Sequence, residues 1–167
     1  GTGWVNNYWH YYWNSTWYNS IKKIKIAEGI TGIGYESFFR CEQLESVTIA
    51  NTVKEIQFRA FQACSNLAIV ELGDELEKIG SEAFEGCTQL KSITIPSSIK
   101  KAEGAIFRSC TNLKTMGPES GNYNIKLESM EIIVENLFSY SEVEEVNIPD
   151  TVKEIGNSVF YDCSSLT

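Results

Sequence analysis

Histidine is almost missing from this chain of 167 residues, and His10 is the only imidazole. A Ser-His-Asp or Cys-His arrangement would have to borrow that one ring, and no nucleophile motif lies near it. Neither a Cys-x-x-Cys nor a His-x-x-x-His pair occurs, so spacing supports no metal site. A glycine-rich phosphate loop is absent too. Carboxylates are plentiful, but Glu55, Glu77 and Glu154 stand beside lysines in polar slots, where a solvated face is the ordinary explanation. The reading is of a protein that is not an enzyme, with no catalytic residue, no metal and no cofactor. Basic residues are outnumbered, 14 against 22 acidic, for a net charge of −8, which argues against nucleic acid as a partner. Apolar runs last only a few residues, too short for any segment here to insert into a membrane. No secretory leader is visible, yet Gly1 and Thr167 do not resemble natural termini. The chain reads as a piece of something longer, so its compartment stays open at this point.

What the sequence does contain is a period. Cys41, Cys64, Cys87 and Cys110 follow one another at intervals of 23 residues. Phe38, Phe61, Phe84 and Phe107 precede them by three positions, and Leu44, Leu67, Leu90 and Leu113 follow by three. Val47, Val70, Ile93 and Met116 keep the same register, and so do Ile49, Leu72 and Ile95. Upstream, Ile21, Ile24, Ile26, Ile30 and Ile33 stand 23 residues before Leu44, Val47, Ile49, Val53 and Ile56. Downstream, Leu113 to Val143 is a step of 30, so one unit carries an insertion, placed around residues 117–130. Val146, Ile148, Ile155, Phe160, Cys163 and Leu166 then resume the pattern, and Tyr18 and Tyr140 are assigned the cysteine position in units that lack one. A fixed period of this size is the mark of a solenoid.

Each unit has a physical reading. Leu-x-x-Val-x-Ile alternates apolar and polar at its end and is rich in β-branched residues, so it predicts a short strand. A turn such as Pro96-Ser97-Ser98 or Pro149-Asp150-Thr151 closes it, because proline cannot donate to a ladder. A second short extended piece follows, often ended by Gly80 or Gly156. The stretch Ser81 to Cys87 is long enough for one or two helical turns with Ser81 as N-cap. One such unit cannot bury its own apolar face, so neighbours must cover its flanks. The division is residues 1–20 as an aromatic leader or N-terminal cap and residues 21–167 as repeats, with six strand positions and the start of a seventh at Leu166.

The segment Ala83-Phe84-Glu85-Gly86-Cys87-Thr88-Gln89-Leu90-Lys91-Ser92-Ile93-Thr94-Ile95-Pro96 resembles the BspA-like leucine-rich repeats of bacterial surface proteins. The resemblance spans about Ile21 to Thr167. It implies a leucine-rich-repeat solenoid of the α/β type, mostly β, with a parallel strand ladder and short helical turns. It also implies an extracellular or cell-surface location and a role in adhesion or protein binding, to a host or microbial surface protein. The family supplies no common catalytic residues.

Phe38, Phe61, Phe84, Phe107, Phe160, the four leucines, and the cysteines with Cys163 are therefore expected in the repeat core, the cysteines as buried thiols. Equivalent positions on adjacent turns lie near enough that distance alone does not exclude bridging. Three places could meet a partner. The leader holds every tryptophan, and Trp4, Trp9 and Trp13 are candidates for stacking on a glycan; the competing reading is a cap over the open end of the first repeat. The outward strand positions form the second: Lys23 and Lys25, Ser46 and Thr48, Ile69 and Glu71, Ser92 and Thr94, Thr115 and Gly117, Glu145 and Asn147. They offer no aromatic anchor. The insertion is the third, with Pro118 breaking the strand pattern and Tyr123 the candidate contact, either as a binding loop or as a tolerated surface bulge.

Overall fold

The computed structural model describes residues 3–5 and 20–167. Its first seven strands are β1 (Gly3–Val5), β2 (Lys23–Ile26), β3 (Ile30–Ile33), β4 (Ser46–Ile49), β5 (Glu55–Ile56), β6 (Ile69–Glu71) and β7 (Lys78–Ile79). They are followed by β8 (Ile93–Ile95), β9 (Lys101–Ala102), β10 (Thr115–Pro118), β11 (Ile125–Leu127), β12 (Ile132–Ile133), β13 (Glu145–Val146) and β14 (Glu154–Ile155). Every strand pair is parallel, as a coil returning to the same side on each turn requires. One ladder runs β2-β4-β6 and passes through a bridge between Ile69 and Ser92 to β8-β11-β10-β13. A second runs β1-β3-β5-β7-β9, with β12-β14 as a separate pair.

The repeat columns become continuous packing columns. Phe61, Phe84 and Phe107, with Phe138 beyond the insertion, are fully buried and stack ring on ring, with Phe38 and Phe160 partly buried at the two ends. Leu44, Leu67, Leu90 and Leu113 lie in the same core. All five cysteines are buried, and no disulfide joins any two of them. The thiols of Cys64, Cys87, Cys110 and Cys163 donate to the carbonyls of Phe38, Phe61, Phe84 and Phe138 at 3.1–3.3 Å. Burial holds the Cys64 and Cys87 thiols well above their usual range and pushes Cys110 up to about 12. A thiol that stays protonated is neither nucleophile nor metal ligand, so the column is packing.

Two expectations change in the structure. The stretch before each cysteine, predicted to hold helical turns, is a run of tight turns instead. Glu36 and Arg40, Arg59 and Ala63, Glu82 and Gly86, and the later equivalents have left-handed φ values of 50–72°. That geometry aims alternate amides at the next coil: Glu36, Phe38 and Arg40 donate to Phe58, Ala60 and Gln62, and the next two coils repeat the step. Ser81 caps no helix, and its hydroxyl donates to the Gly104 carbonyl at 2.8 Å. The second change concerns Tyr140, which does not fill the cysteine position. Tyr140 carries the left-handed φ found just before each cysteine, and Ser141 takes the slot, buried and 3.4 Å from Cys163 Sγ. The turn from Ser141 to Val143 is one residue shorter than the turn from Cys110 to Leu113, which displaces a register counted back from Val143.

Coils also approach closely where side chains are absent. A Cβ on Gly80 would stand 2.6 Å from the Phe58 nitrogen, and one on Gly156 would stand 2.7 Å from the Glu135 nitrogen. Outside, ion pairs step from coil to coil, as in Lys22 with Glu45, Lys78 with Glu55 and Glu103, and Lys114 with Glu144. At this exposure such pairs contribute little to stability.

Candidate functional site

The insertion is the largest break in the period, and it is not a bulge. Thr115–Pro118 is still a strand, with Pro118 as its last residue, and Ile125–Leu127 adds a further strand that the sequence reading does not contain. β11 lies between β8 and β10: Ile125, Lys126 and Leu127 face Ile93, Thr94 and Ile95 on one side and Met116, Gly117 and Pro118 on the other. Ile125 and Leu127 are buried, while Lys126 between them is only partly covered, so the short alternation Ile-Lys-Leu serves a strand with one side in the core.

Two parallel neighbours need a return connection, and here only residues 119–124 supply it. The interior is filled, so the return crosses the outward side of β10. Tyr123 lies over Gly117, where an added Cβ would stand 2.6 Å from the ring Cζ, and Gly121 leaves room for the same ring. Gly117, expected on the outward surface, is therefore buried beneath Tyr123. Asn147 of the next coil donates to the Tyr123 hydroxyl at 2.6 Å. The Asn124 side chain ties the loop down from two sides, accepting from the Lys114 amide and donating to the Lys91 carbonyl, both at 3.2 Å. The strand surface thus has an aromatic residue raised on it, half-exposed and held in place, where the sequence reading saw no anchor. The sequence reading has Gly117 and Asn147 only as outward strand positions and does not single out Gly121; a Gly-x-x-x-Gly run next to a lone tyrosine is the signal for their role.

The extra strand also alters the shape around it. From β8 to β13 there are three strand steps of ~4.8 Å, against two phenylalanine steps of 6.0 and 6.2 Å. Earlier phenylalanine steps are 5.2 and 5.3 Å. The second ladder parts here, since β9 and β12 belong to different sheets. The Ala105 amide, whose equivalents donate to backbone carbonyls, donates to the Ser139 hydroxyl at 3.0 Å, and that hydroxyl in turn donates to the Asn136 carbonyl. Ser139 is only 1% exposed, so it satisfies a donor that the break would otherwise strand.

Two hollows flank the raised loop. The larger, about 450 Å³, lies between Pro118, Glu119 and Leu127 and the turn Ile148, Pro149 and Asp150. The smaller, about 260 Å³, lies between Glu119 and Glu128 and residues 70–74 of the preceding coils. Glu119 belongs to both. Ile69, 56% exposed, is a large apolar side chain on the same strand surface. Among the described residues no group of three or more His, Cys, Asp and Glu side chains could hold a metal ion, and no helix is long and apolar enough to cross a membrane.

The leader candidates fall mostly outside what the structure describes. Trp9, Trp13, Tyr18 and His10 lie outside the described residues, and Trp4 is described only through its backbone in β1. That backbone pairs with β3, placing Trp4 opposite Gly32 and Val5 opposite Ile33, so the leader adds a strand to the N-terminal side of the second ladder.

Comparison with known proteins fits this geometry. A family profile described as "BspA type Leucine rich repeat region" matches six copies over residues 14–129 and 119–167. A leucine rich cell surface protein from Faecalibacterium prausnitzii is similar at 30% identity and a TM-score of 0.64, over 87% of this chain and 38% of its own. A leucine-rich repeat protein from Bacteroides ovatus is similar at 27% identity and a TM-score of 0.53, over 87% of this chain and 48% of its own. The T. pallidum leucine rich repeat protein shares the fold at 23% identity and a TM-score of 0.62, over 88% of this chain and 78% of its own. The chain thus spans less than half the length of the Faecalibacterium and Bacteroides proteins. No curated protein matches it. With the repeat profile covering nearly all of the coiled region, the chain belongs to the BspA-type leucine-rich-repeat family.

Proposed function

We propose that this chain is a non-catalytic recognition module of a bacterial cell-surface protein, binding a host or microbial surface protein across its outward strand ladder with Tyr123 as anchor. Membership of a repeat family found in surface proteins supports the setting. The observation that carries the reading is Tyr123 itself, an aromatic side chain left half-exposed on a strand surface and fixed there by Gly117, Gly121 and Asn147. Fixed aromatic rings ringed by small polar residues are the usual energetic centres of protein interfaces. Ser92 and Thr94 present a shallow, even surface across β11 from it, continued further along the ladder by Ser46 and Thr48. Residues 1–20 serve in this reading as the cap of the first coil, a role supported by β1.

The test is an array of extracellular host and microbial proteins probed with the biotinylated chain. Each hit is then measured with Tyr123→Ala, Ser46→Arg and, away from the ladder, Glu42→Arg. The first two should weaken binding tenfold or more and the third should leave it unchanged. Equal binding by all three variants, or an array with no hit, contradicts the reading.

A further inference from the structure

Many surface carboxylates are matched by a lysine or arginine, most of them one coil away, though among the described residues Glu42, Glu135, Glu145, Glu154 and Asp162 are in no ion pair. Around the two hollows, unpaired carboxylates line concave walls. Among the described residues, none of Glu71, Asp74, Glu119, Glu128 and Asp150 has an ion-pair partner. Two of them are nevertheless fixed in place: Glu71 accepts from the Thr48 hydroxyl at 3.0 Å and Glu128 from the Ser97 amide at 3.1 Å. Lys126, on the outward side of β11, makes no ion pair with any of the five. The hollows have apolar walls as well, Pro118, Leu127, Ile148 and Pro149 in the larger and Val70, Leu72 and Pro96 in the smaller.

We propose that these two hollows, sharing Glu119 as a common wall, receive the basic side chains of an extended segment of the partner protein. The proposal rests on the strand ladder being the docking surface and names the chemistry of what docks there. A lysine or arginine side chain has an apolar stem and a charged tip, matching an apolar wall beneath an uncompensated carboxylate. Arginine fits better, because its planar fork can hold Glu119 or Asp150 through two parallel bonds. The carboxylates form no cluster that could share one metal ion, which leaves separate single-charge contacts of the kind a peptide makes.

The experiment is an amide chemical-shift titration of the isotopically labelled chain with Gly/Ser dodecapeptides carrying two arginines one, three or five residues apart. The same peptides with citrulline replacing arginine serve as the uncharged control. At least one arginine peptide should shift amides in 70–74, 118–129 and 147–151. Citrulline should weaken that binding tenfold or more, and so should Glu119→Gln combined with Asp150→Asn, while Glu42→Gln leaves it unchanged. Equal binding of the citrulline peptide, indifference to the double substitution, or no shift with any peptide overturns the proposal. Charge-independent shifts along Ser46, Ile69 and Thr94 overturn it while leaving the strand ladder as the docking surface; shifts confined to residues off that ladder overturn both.

Discussion

The coils from Ile33 to Cys110 and the coils after the insertion are built from the same residue pattern, yet they differ in kind. In the first group the phenylalanine, cysteine and leucine columns each repeat one side chain: phenylalanines stand 5.2 to 6.0 Å apart, thiols donate to the carbonyls of the coil before, and a second ladder runs unbroken to β9. In the second group an extra strand stands between β8 and β10, the phenylalanines are 6.0 to 6.2 Å apart, a serine replaces the cysteine, and the second ladder restarts at β12. Strict periodicity makes a rod with an even, shallow surface. Relief arises where the period is interrupted, and the interruption is tolerated because Ser139 and Asn124 satisfy backbone groups it would have left unpaired.

The sharpest way to break this comparison is to remove a ring from each region. Phe84→Ala deletes a fully buried ring stacked on both sides and should cost about 3–5 kcal/mol, read from urea unfolding. Phe138→Ala should cost less, because its neighbours are already further apart, and hydrogen exchange should show residues 125–167 opening before the rest. Equal costs would erase the distinction between the regions. Next in size is Ser139→Ala, which strands the Ala105 amide and should cost about 1–3 kcal/mol, against under ~1.5 kcal/mol for Ser81→Ala in a regular coil. Faster exchange of the Ala105 amide in the first variant alone is the local check.

Alkaline pH separates the regions through their thiols. A thiol raised by burial remains protonated while the same thiol in the unfolded chain, near its usual 9.0, ionises. Stability present below pH 9 is therefore lost as pH climbs toward about 12, the value for Cys110. Cys110→Ser should flatten that part of the pH–stability curve, and Ser141→Cys should steepen it by adding a sixth buried thiol. The smallest expected effect on stability is that of Tyr123→Ala, under ~2 kcal/mol because the ring lies on the surface and stays partly exposed. Gly117→Val, which drives a side chain into the ring position, should match the loss of partner binding seen with Tyr123→Ala.

Much of the regular region is legible in the sequence, because there one side-chain type fills each column and spacing alone fixes depth. Counting failed where length changed. Tyr140 was placed three residues before Val143, but the turn had lost a residue and Ser141 held the slot. Ile125-Lys126-Leu127 carries a strand alternation in plain view, yet a strand paired between its two predecessors in space has no place in a linear register. The helical expectation failed for a local reason, since each coil must aim alternate amides at the next and left-handed residues do that where an α-helix would aim them along its own axis. Tyr123 was visible as a candidate, but what holds it, two glycines and an asparagine 24 residues away, emerges only when the coils are stacked.

The raised tyrosine and its flanking hollows exist only if β11 lies between β8 and β10. Cross-strand nuclear Overhauser effects in the folded chain test this directly. Contacts from Thr94 and Ile95 should reach Lys126 and Leu127, with Gly117 and Pro118 seen only from the far side of β11. Direct contacts between Thr94 and Gly117, with Lys126 contacting neither strand, would mean that residues 119–127 loop out as a surface bulge, and both the raised tyrosine and its flanking hollows would have to be given up.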